Sequence, residues 1–361
     1  MSFVKTGAFR GLNSSSDDVK IDSSGNVAIV NGNIVNKNLL INGGMNVWQR
    51  STSQASITTA AYHTVDRFRT SVNTLGTWTQ SRSTDVPSAQ GFGYSLKMDC
   101  TTADASPAAA DYLLFEQLIE GQNLQHLLKG TSSAKKVTLS FWVKSNKTGT
   151  YIIELEDVDN SRHICKEYTI SAASTWEKKE LTFDGDTTGT FDNDNANSLK
   201  LNWWLASGSN HTSGTLATSW ASRTAANAAV GQVNLADSTS NEWYITGCQL
   251  EVGSTASGFE FEPYEKILGK CQRYYWFGEI AGGATADNDY NKNFLGNSFP
   301  VTMRDTPGIT RVSGALVGHG GFNANATTRV SKDSVMVEWS GTSYRDIGAG
   351  AHQILKADAE L

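Results

Sequence analysis

Apolar and polar positions alternate with a period of two along most of the chain. In Lys136–Lys144, Val137, Leu139, Phe141 and Val143 alternate with Thr138, Ser140, Trp142 and Lys144. That is the pattern of a half-buried strand. Similar runs at His63–Thr70, Gly76–Arg82, Tyr94–Cys100, Tyr112–Ile119, Thr150–Glu156, Cys165–Ile170, Glu177–Phe183, Leu199–Ala206 and Glu242–Val252 are separated by Gly, Ser, Asn and Asp turns. Stretches of helical period are almost absent, so the pattern predicts an all-β chain with a sandwich over residues 37–265. Two turn-rich segments inside it, Gly185–Ser198 and Ser207–Asn241, are expected to be long loops.

The ends read differently. Residues 1–36 contain one hairpin pattern, Val19-Lys20-Ile21 and Val27-Ala28-Ile29-Val30 around the turn Asp22–Asn26. A unit that small cannot bury a core by itself, which predicts an attachment segment covered by a larger particle. After Phe261-Glu262-Pro263-Tyr264, residues Glu265–Gln272 predict one short helix. Strand patterns at Phe299–Met303, Ile309–Val312 and Val335–Trp339 then predict a small second β domain over 266–361. There is no fixed-period repeat to suggest a solenoid.

Composition narrows the function classes. Charged residues make up 18% of the 361 positions, below the roughly 25% of ordinary soluble domains. A net charge of −6 without a Lys/Arg cluster leaves no footprint for a phosphate backbone, so nucleic acid is not an expected partner. No charged-then-apolar leader opens the chain and no apolar run reaches membrane-spanning length, so neither export nor membrane insertion is expected. Cys100, Cys165, Cys248 and Cys271 are far apart with no C-x-x-C pair and read as buried thiols.

Two border segments carry a resemblance. Asn38-Leu39-Leu40-Ile41-Asn42-Gly43-Gly44-Met45-Asn46-Val47-Trp48-Gln49-Arg50 with Thr64-Val65-Asp66-Arg67-Phe68 opens the central domain. Gln249–Gly253, Phe259–Tyr264 and Cys271-Gln272-Arg273-Tyr274-Tyr275 close it. Together with Val137–Lys144, Gly185–Thr190, Phe299–Arg304 and Ala357–Leu361 they resemble a widespread family of bacteriophage tail-fibre, receptor-binding proteins. The resemblance covers about residues 37–361. It implies a jelly roll similar to carbohydrate-binding modules, a homotrimer, attachment to other virion tail proteins through the N-terminal segment, and a location in the phage tail. Physically, Gly43 and Gly44 suit a turn with positive φ, and Asp66 and Arg67 are placed to pair with each other.

Glycan recognition needs flat aromatic faces and side chains that bond several hydroxyls. Trp142 and Trp204 fall on the polar parity of their strands. With Asn202, Lys144, Glu154 and Glu156 they are the candidate glycan-binding residues of one concave sheet. Tyr274, Tyr275 and Trp276 form an apolar run that predicts a domain or subunit interface. Asp184, Asp186, Asp192 and Asp194 crowd one loop and are a weak Ca²⁺ candidate, although Asp and Asn also serve turns. No other cofactor is expected.

Catalysis is not expected either. Glu116, Glu120, Glu154 and Glu156 are available as a carboxylate pair, but His63, His126, His163, His211, His319 and His352 are scattered, and neither H-E-x-x-H nor G-x-S-x-G occurs. The function expected is therefore adhesion of a virion to a host surface glycan. The alternatives are a purely structural head decoration or capsid fibre and, less favoured, a glycan-degrading tailspike.

Overall fold

The structure, a computed structural model, describes residues 8–9, 19–21, 27–29, 37–281, 292–312, 327–340 and 352–361. The predicted N-terminal hairpin is present as β2 (Val19–Ile21) and β3 (Val27–Ile29), antiparallel with Val19 opposite Ile29; β1 (Ala8–Phe9) pairs with β2. Its turn and Val30 lie outside the described residues.

The central domain is an antiparallel jelly-roll sandwich. Its strands are β4 (Ser53–Ile57), β5 (Arg69–Asn73), β6 (Thr77–Ser83), β7 (Ser95–Thr102), β8 (Tyr112–Glu120), β9 (Val137–Ser145), β10 (Gly149–Asp157), β11 (Arg162–Ile170), β12 (Glu177–Phe183), β13 (Asn197–Ser207), β14 (Ala221–Ser222) and β15 (Glu242–Val252). Sheet I has the order β14-β11-β10-β13-β8-β5, and sheet II the order β12-β9-β15-β7-β6-β4. Alternation decides which side chains meet between them. Leu139, Phe141 and Val143 of β9 face Leu199, Leu201 and Trp203 of β13 in one core. Phe68 stacks on Phe115 with centroids 4.9 Å apart, and Phe115 meets Trp203 and Trp243 at 5.8 and 5.7 Å. Each such ring pair adds about 0.5–1.5 kcal/mol beyond its buried area.

Several expectations are corrected. The strand predicted at His63–Thr70 begins only at Arg69, because Arg67 adopts a left-handed φ of 72° that breaks an extended run. In the turn at Asn42–Met45 it is Asn42 and Met45 that have positive φ, 63° and 54°. Gly43 is required for a different reason: a Cβ there would stand 1.9 Å from the Cys248 carbonyl oxygen. Gly43→Ala would push the chain entrance off β15. Residues 299–303 are not a strand; Phe299 and Met303 are instead plugs in the core of the smaller domain.

Residues 207–241 are a compact lid rather than an open loop. They include one helical turn, α1 (Ser209–Thr212), and lie over the outer face of sheet I, where Ala217, Ala228 and Ala229 pack on Trp204, Ile152 and Cys165. The short side chains let the lid backbone approach the sheet closely.

The predicted helix is α2 (Tyr264–Gln272). It leads into a domain of two three-stranded sheets, β16-β21-β18 and β17-β20-β19, formed by β16 (Tyr275–Ala281), β17 (Lys292–Ser298), β18 (Gly308–Arg311), β19 (Thr327–Val330), β20 (Ser334–Ser340) and β21 (His352–Asp358). Its core includes Trp276, Ile280, Val335, Val337 and Leu355.

The motif-bearing segments of the sequence converge where this domain meets the sandwich. Asp66 and Arg67 do not pair with each other. Arg67 is buried, pairs with Glu360, donates to the Leu118 carbonyl at 2.7 Å and lies 3.4 Å over the Tyr274 ring. Arg50 covers Tyr275 at 3.7 Å and reaches Glu360 at 3.2 Å and Asp66 at 3.7 Å. Arg304 donates to the Ala359 and Glu360 carbonyls at 2.7 and 3.1 Å and to the Asn195 carbonyl at 3.0 Å. Tyr274, Tyr275 and Trp276 are thus buried by the chain itself.

Candidate functional site

The six candidate glycan-binding residues do not share one face. Glu154, Glu156, Asn202 and Trp204 project from the outer side of sheet I, whereas Trp142 and Lys144 project from the outer side of sheet II. Trp204 is 1% exposed beneath the lid. Its indole donates to Glu154 Oε2 at 3.1 Å, as does Asn202 Nδ2 at 3.1 Å, while His163 Nδ1 sits 2.9 Å from Glu154 Oε1. Burial opposes charge on Glu154, but His163, Arg223 and Asn202 hold its carboxyl below the usual range. Glu156 is half-buried against Arg223 at 2.9 Å. Parity correctly turned these side chains away from the main core, but it carries no information about a lid, and Glu154, Asn202 and Trp204 are buried out of reach of a sugar.

Glu154, His163 and Cys165 also form a metal-sized group. The polar contacts already close that space. Glu154 accepts three side-chain bonds, and His163 Nε2 faces the Thr224 amide at 3.4 Å, which suits a ring with its proton on Nδ1. The thiol of Cys165 is pushed well up by burial and by Glu154. The group fits a structural anchor under the lid better than a metal ion.

The outer side of sheet II is covered only in part: Thr246 and Gln249 of β15 are buried and bond to Tyr94 and Ser257, whereas Lys178 and Glu180 on the edge strand β12 are exposed. On its outer side Trp142 is half-buried, between Lys178 of β12 and Thr246 of β15; two residues along β9, Lys144 lies opposite Tyr244. Lys144 pairs with Asp85 and stands 4.1 Å over the Tyr244 ring. Trp176, at the foot of β12, donates to Asp85 Oδ1 at 2.8 Å and meets Tyr244 edge-on at 6.2 Å. Lys144 and Trp176 hold Asp85 ionised, overcoming burial, and its carboxyl falls below the ordinary range. Lys178 and Glu180 pair at 2.8 Å beside Trp142 and are exposed. The result is a strip with a tryptophan floor, an aromatic and charged wall at one end, and paired donors and acceptors along its side.

Sequence reasoning found Trp142 and Lys144 here and missed Trp176, Tyr244 and Asp85. The parity of Tyr244 and Thr246 in Glu242–Val252 matches that of Trp142 and was a usable signal. Asp85 lies in an irregular segment, where alternation says nothing.

The four aspartates do not gather around one point. Asp184 pairs with Lys136 at 2.7 Å, and Asp186 is held by Arg162 at 2.6 Å and Lys129 at 3.2 Å. Asp192 and Asp194 are exposed, and Asp194 accepts the Ala196 amide at 2.9 Å as a turn residue does. The weak Ca²⁺ candidate finds no shared point here: protein cations meet two of the four, and the loop backbone uses a third. The carboxylates considered for hydrolysis are also engaged. Glu116 accepts from Arg69 at 2.9 Å and Ser71 at 2.5 Å, and Glu120 from Arg273 at 2.9 Å.

No protein-family model and no curated protein matches the chain. Among solved structures, it is similar to the enzymatically active domain of tailspike protein 4 of bacteriophage CBA120, at 14% identity and a TM-score of 0.31, over 60% of this chain and 22% of that one. It is similar to TmCBM61 in complex with β-1,4-galactotriose at 12% identity and a TM-score of 0.30, over 60% of this chain and 99% of that one. The tripod from the baseplate of bacteriophage Tuc2009 aligns at 11% identity and a TM-score of 0.26, over 90% of both chains. The all-β sandwich assignment rests on the chain's own strands and their register.

Proposed function

We propose that the chain is a virion adhesion protein of a bacteriophage tail that binds a host surface glycan, without cutting it, on the outer face of sheet II. The observation that carries the binding site is Trp142: a large ring left half-buried on the outer side of sheet II, beside the exposed residues of the edge strand β12. Around it Lys178, Glu180, Lys144, Asp85 and Trp176 supply what a sugar ring needs, a stacking surface and side chains that both donate and accept. The placement in a tail is supported by the sequence motifs at both borders of the sandwich. A homotrimer, as those motifs imply, would let weak single sites act together, since linked sites raise avidity by roughly 10²–10⁴.

The test uses the full chain with Trp142→Ala, Trp176→Ala and the double variant, measured for adsorption to host cells and for thermal melting. Because neither ring belongs to the main core, melting should shift little. Adsorption should weaken at least about tenfold, the equivalent of about 1.4 kcal/mol at each site. Unchanged adsorption by the double variant would overturn the glycan-binding face. Wild-type protein that neither adsorbs to host cells nor blocks infection would favour the purely structural alternative.

A further inference from the structure

Two border segments of the sequence meet where the chain enters the sandwich. Gly43, Gly44 and Asn46 from the first, with Phe259, Glu260, Phe261 and Glu262 from the second, enclose a cavity of about 290 Å³. Its floor is open because neither glycine puts a side chain there. A Cβ on Gly44 would approach Asn46 Nδ2 at 3.1 Å and the Phe259 ring at 3.5 Å, both side chain, whereas one on Gly43 would strike the Cys248 carbonyl. Phe261 forms one wall and is 57% exposed, yet it is braced. It meets Phe259 at 4.9 Å and Phe92 at 5.4 Å, and Phe92 sits over Gly247 of β15, where a Cβ would stand 2.5 Å from its ring. A ring already held in place binds without the entropic cost of being ordered first.

Polar groups complete the cavity. The half-buried Asn46 side chain makes no hydrogen bond to the described residues, so its amide can both donate and accept. Glu262 meets Lys266 at 2.8 Å and Lys270 at 2.7 Å. A carboxylate offers about four lone-pair sites, which leaves Glu262 room for one more donor. Glu260 accepts the Asn38 amide at 3.0 Å and fixes that strand of the wall. Asn42 lines the same cavity, but its amide is committed to the Val47 and Asp66 carbonyls, so it adds shape and no bonding.

These groups select a ligand by exclusion. A wholly apolar molecule would leave the Asn46 amide without a partner, and an anion would face Glu260 and Glu262. An organic cation gains little from Glu262, whose charge two lysines already balance. A sugar ring suits each part, with an apolar C–H face for Phe261 and hydroxyls for Asn46 and Glu262. Cavities for small molecules run from roughly 300 to 1,000 Å³, so about 290 Å³ suits a single ring. We propose that this cavity binds one neutral pyranose unit, at a site separate from the strip around Trp142. The ligand class follows from the cavity's own groups and holds whether or not the strip binds.

The experiment is saturation-transfer NMR of the full chain with methyl β-glucopyranoside, methyl β-galactopyranoside, methyl α-mannopyranoside and methyl β-glucuronopyranoside. Wild type is compared with Trp142→Ala, which removes the floor of the strip. In the Trp142→Ala background at least one neutral glycoside should bind, with transfer strongest at its ring C–H protons, and the glucuronide should bind more weakly. Adding Gly44→Ala, which fills the floor of the cavity, or Phe261→Ala, which removes its wall, should weaken that binding about tenfold or more. Both should melt near their parent, because the added methyl meets side chains and Phe261 is exposed. If either does not, Asn46→Ala takes its place. The proposal is overturned if no neutral glycoside binds in the Trp142→Ala background, if the glucuronide binds as tightly, or if binding survives the cavity variants. The two sites fail separately: binding lost on Trp142→Ala alone supports the strip and overturns the cavity. Binding that withstands Trp142→Ala and is lost with Phe261→Ala supports the cavity, whatever host adsorption shows for the strip.

Discussion

Asp66 sits at the joint with its side chain 1% exposed, accepting the Gln49 amide at 3.0 Å, with Arg50 3.7 Å away. Burial outweighs the pull of Arg50 and Gln49, and its pKa is pushed up from 3.8 to about 6. The folded state therefore binds a proton that the unfolded chain releases between about pH 6 and 4. Stability from this residue grows as pH falls through about 6; above that pH the ionised group costs about 3 kcal/mol, at 1.36 kcal/mol per unit. Glu154 acts in the opposite direction: its lowered pKa contributes stability above the ordinary carboxylate range that is lost as pH falls below it. Asp66→Asn isolates the first effect. The difference in melting temperature between wild type and this variant should move in favour of wild type as pH is lowered from 7 to 5. A pH-independent difference would count against the buried acid.

The lid over sheet I shows what alternation can and cannot reveal about an element. β9, β12 and β15 were legible because each has one apolar face in contact with a core, and Glu177–Phe183 and Glu242–Val252 match their predicted bounds. β4 was not, since Ser53–Ser56 are exposed on an edge strand and only Ile57 turns inward. Residues 207–241 looked like an open loop because small Ala and Ser side chains lack a period. Yet Ala228 and Ala229 are fully buried, and their smallness is what allows the close approach. This is also why four of the six predicted glycan-binding residues lie on the lidded sheet: strand parity fixes which side of a sheet a residue takes, but not whether another segment covers that side. The lid is held partly by Arg223, between Glu154 at 3.6 Å and Glu156 at 2.9 Å. In Arg223→Ala, Cys165 should react faster with a thiol reagent, about tenfold if the lid loses about 1.4 kcal/mol. Cys100, Cys248 and Cys271, buried elsewhere, should keep their wild-type rates. Equal acceleration at all four would indicate global loosening instead.

At the scale of the whole molecule, the buried pair Arg67–Glu360 links the sandwich to the smaller domain. Removing one partner of such a pair costs about 3–5 kcal/mol, because the other charge stays buried alone. Calorimetry of the wild type should show the sandwich and the smaller domain melting together. Glu360→Gln should separate the two transitions, with the smaller domain melting first. A single transition at the wild-type temperature would show that the pair does not couple them. The border motifs belong to this joint, so the resemblance read from the sequence located a scaffold, while the strip proposed for binding on sheet II lies elsewhere.

The same pair also sets an order of events during synthesis. Arg67 and Glu360 are 293 positions apart. At roughly 5–20 residues per second, the ribosome delivers the glutamate some 15–60 s after the arginine. Until then the sandwich has a positive charge at its surface with its intended counter-charge unmade, together with the aromatic ring of Tyr274 that will later be covered. A chain halted anywhere between the two residues keeps that charge unpaired, so the joint closes only after the smaller domain has been made.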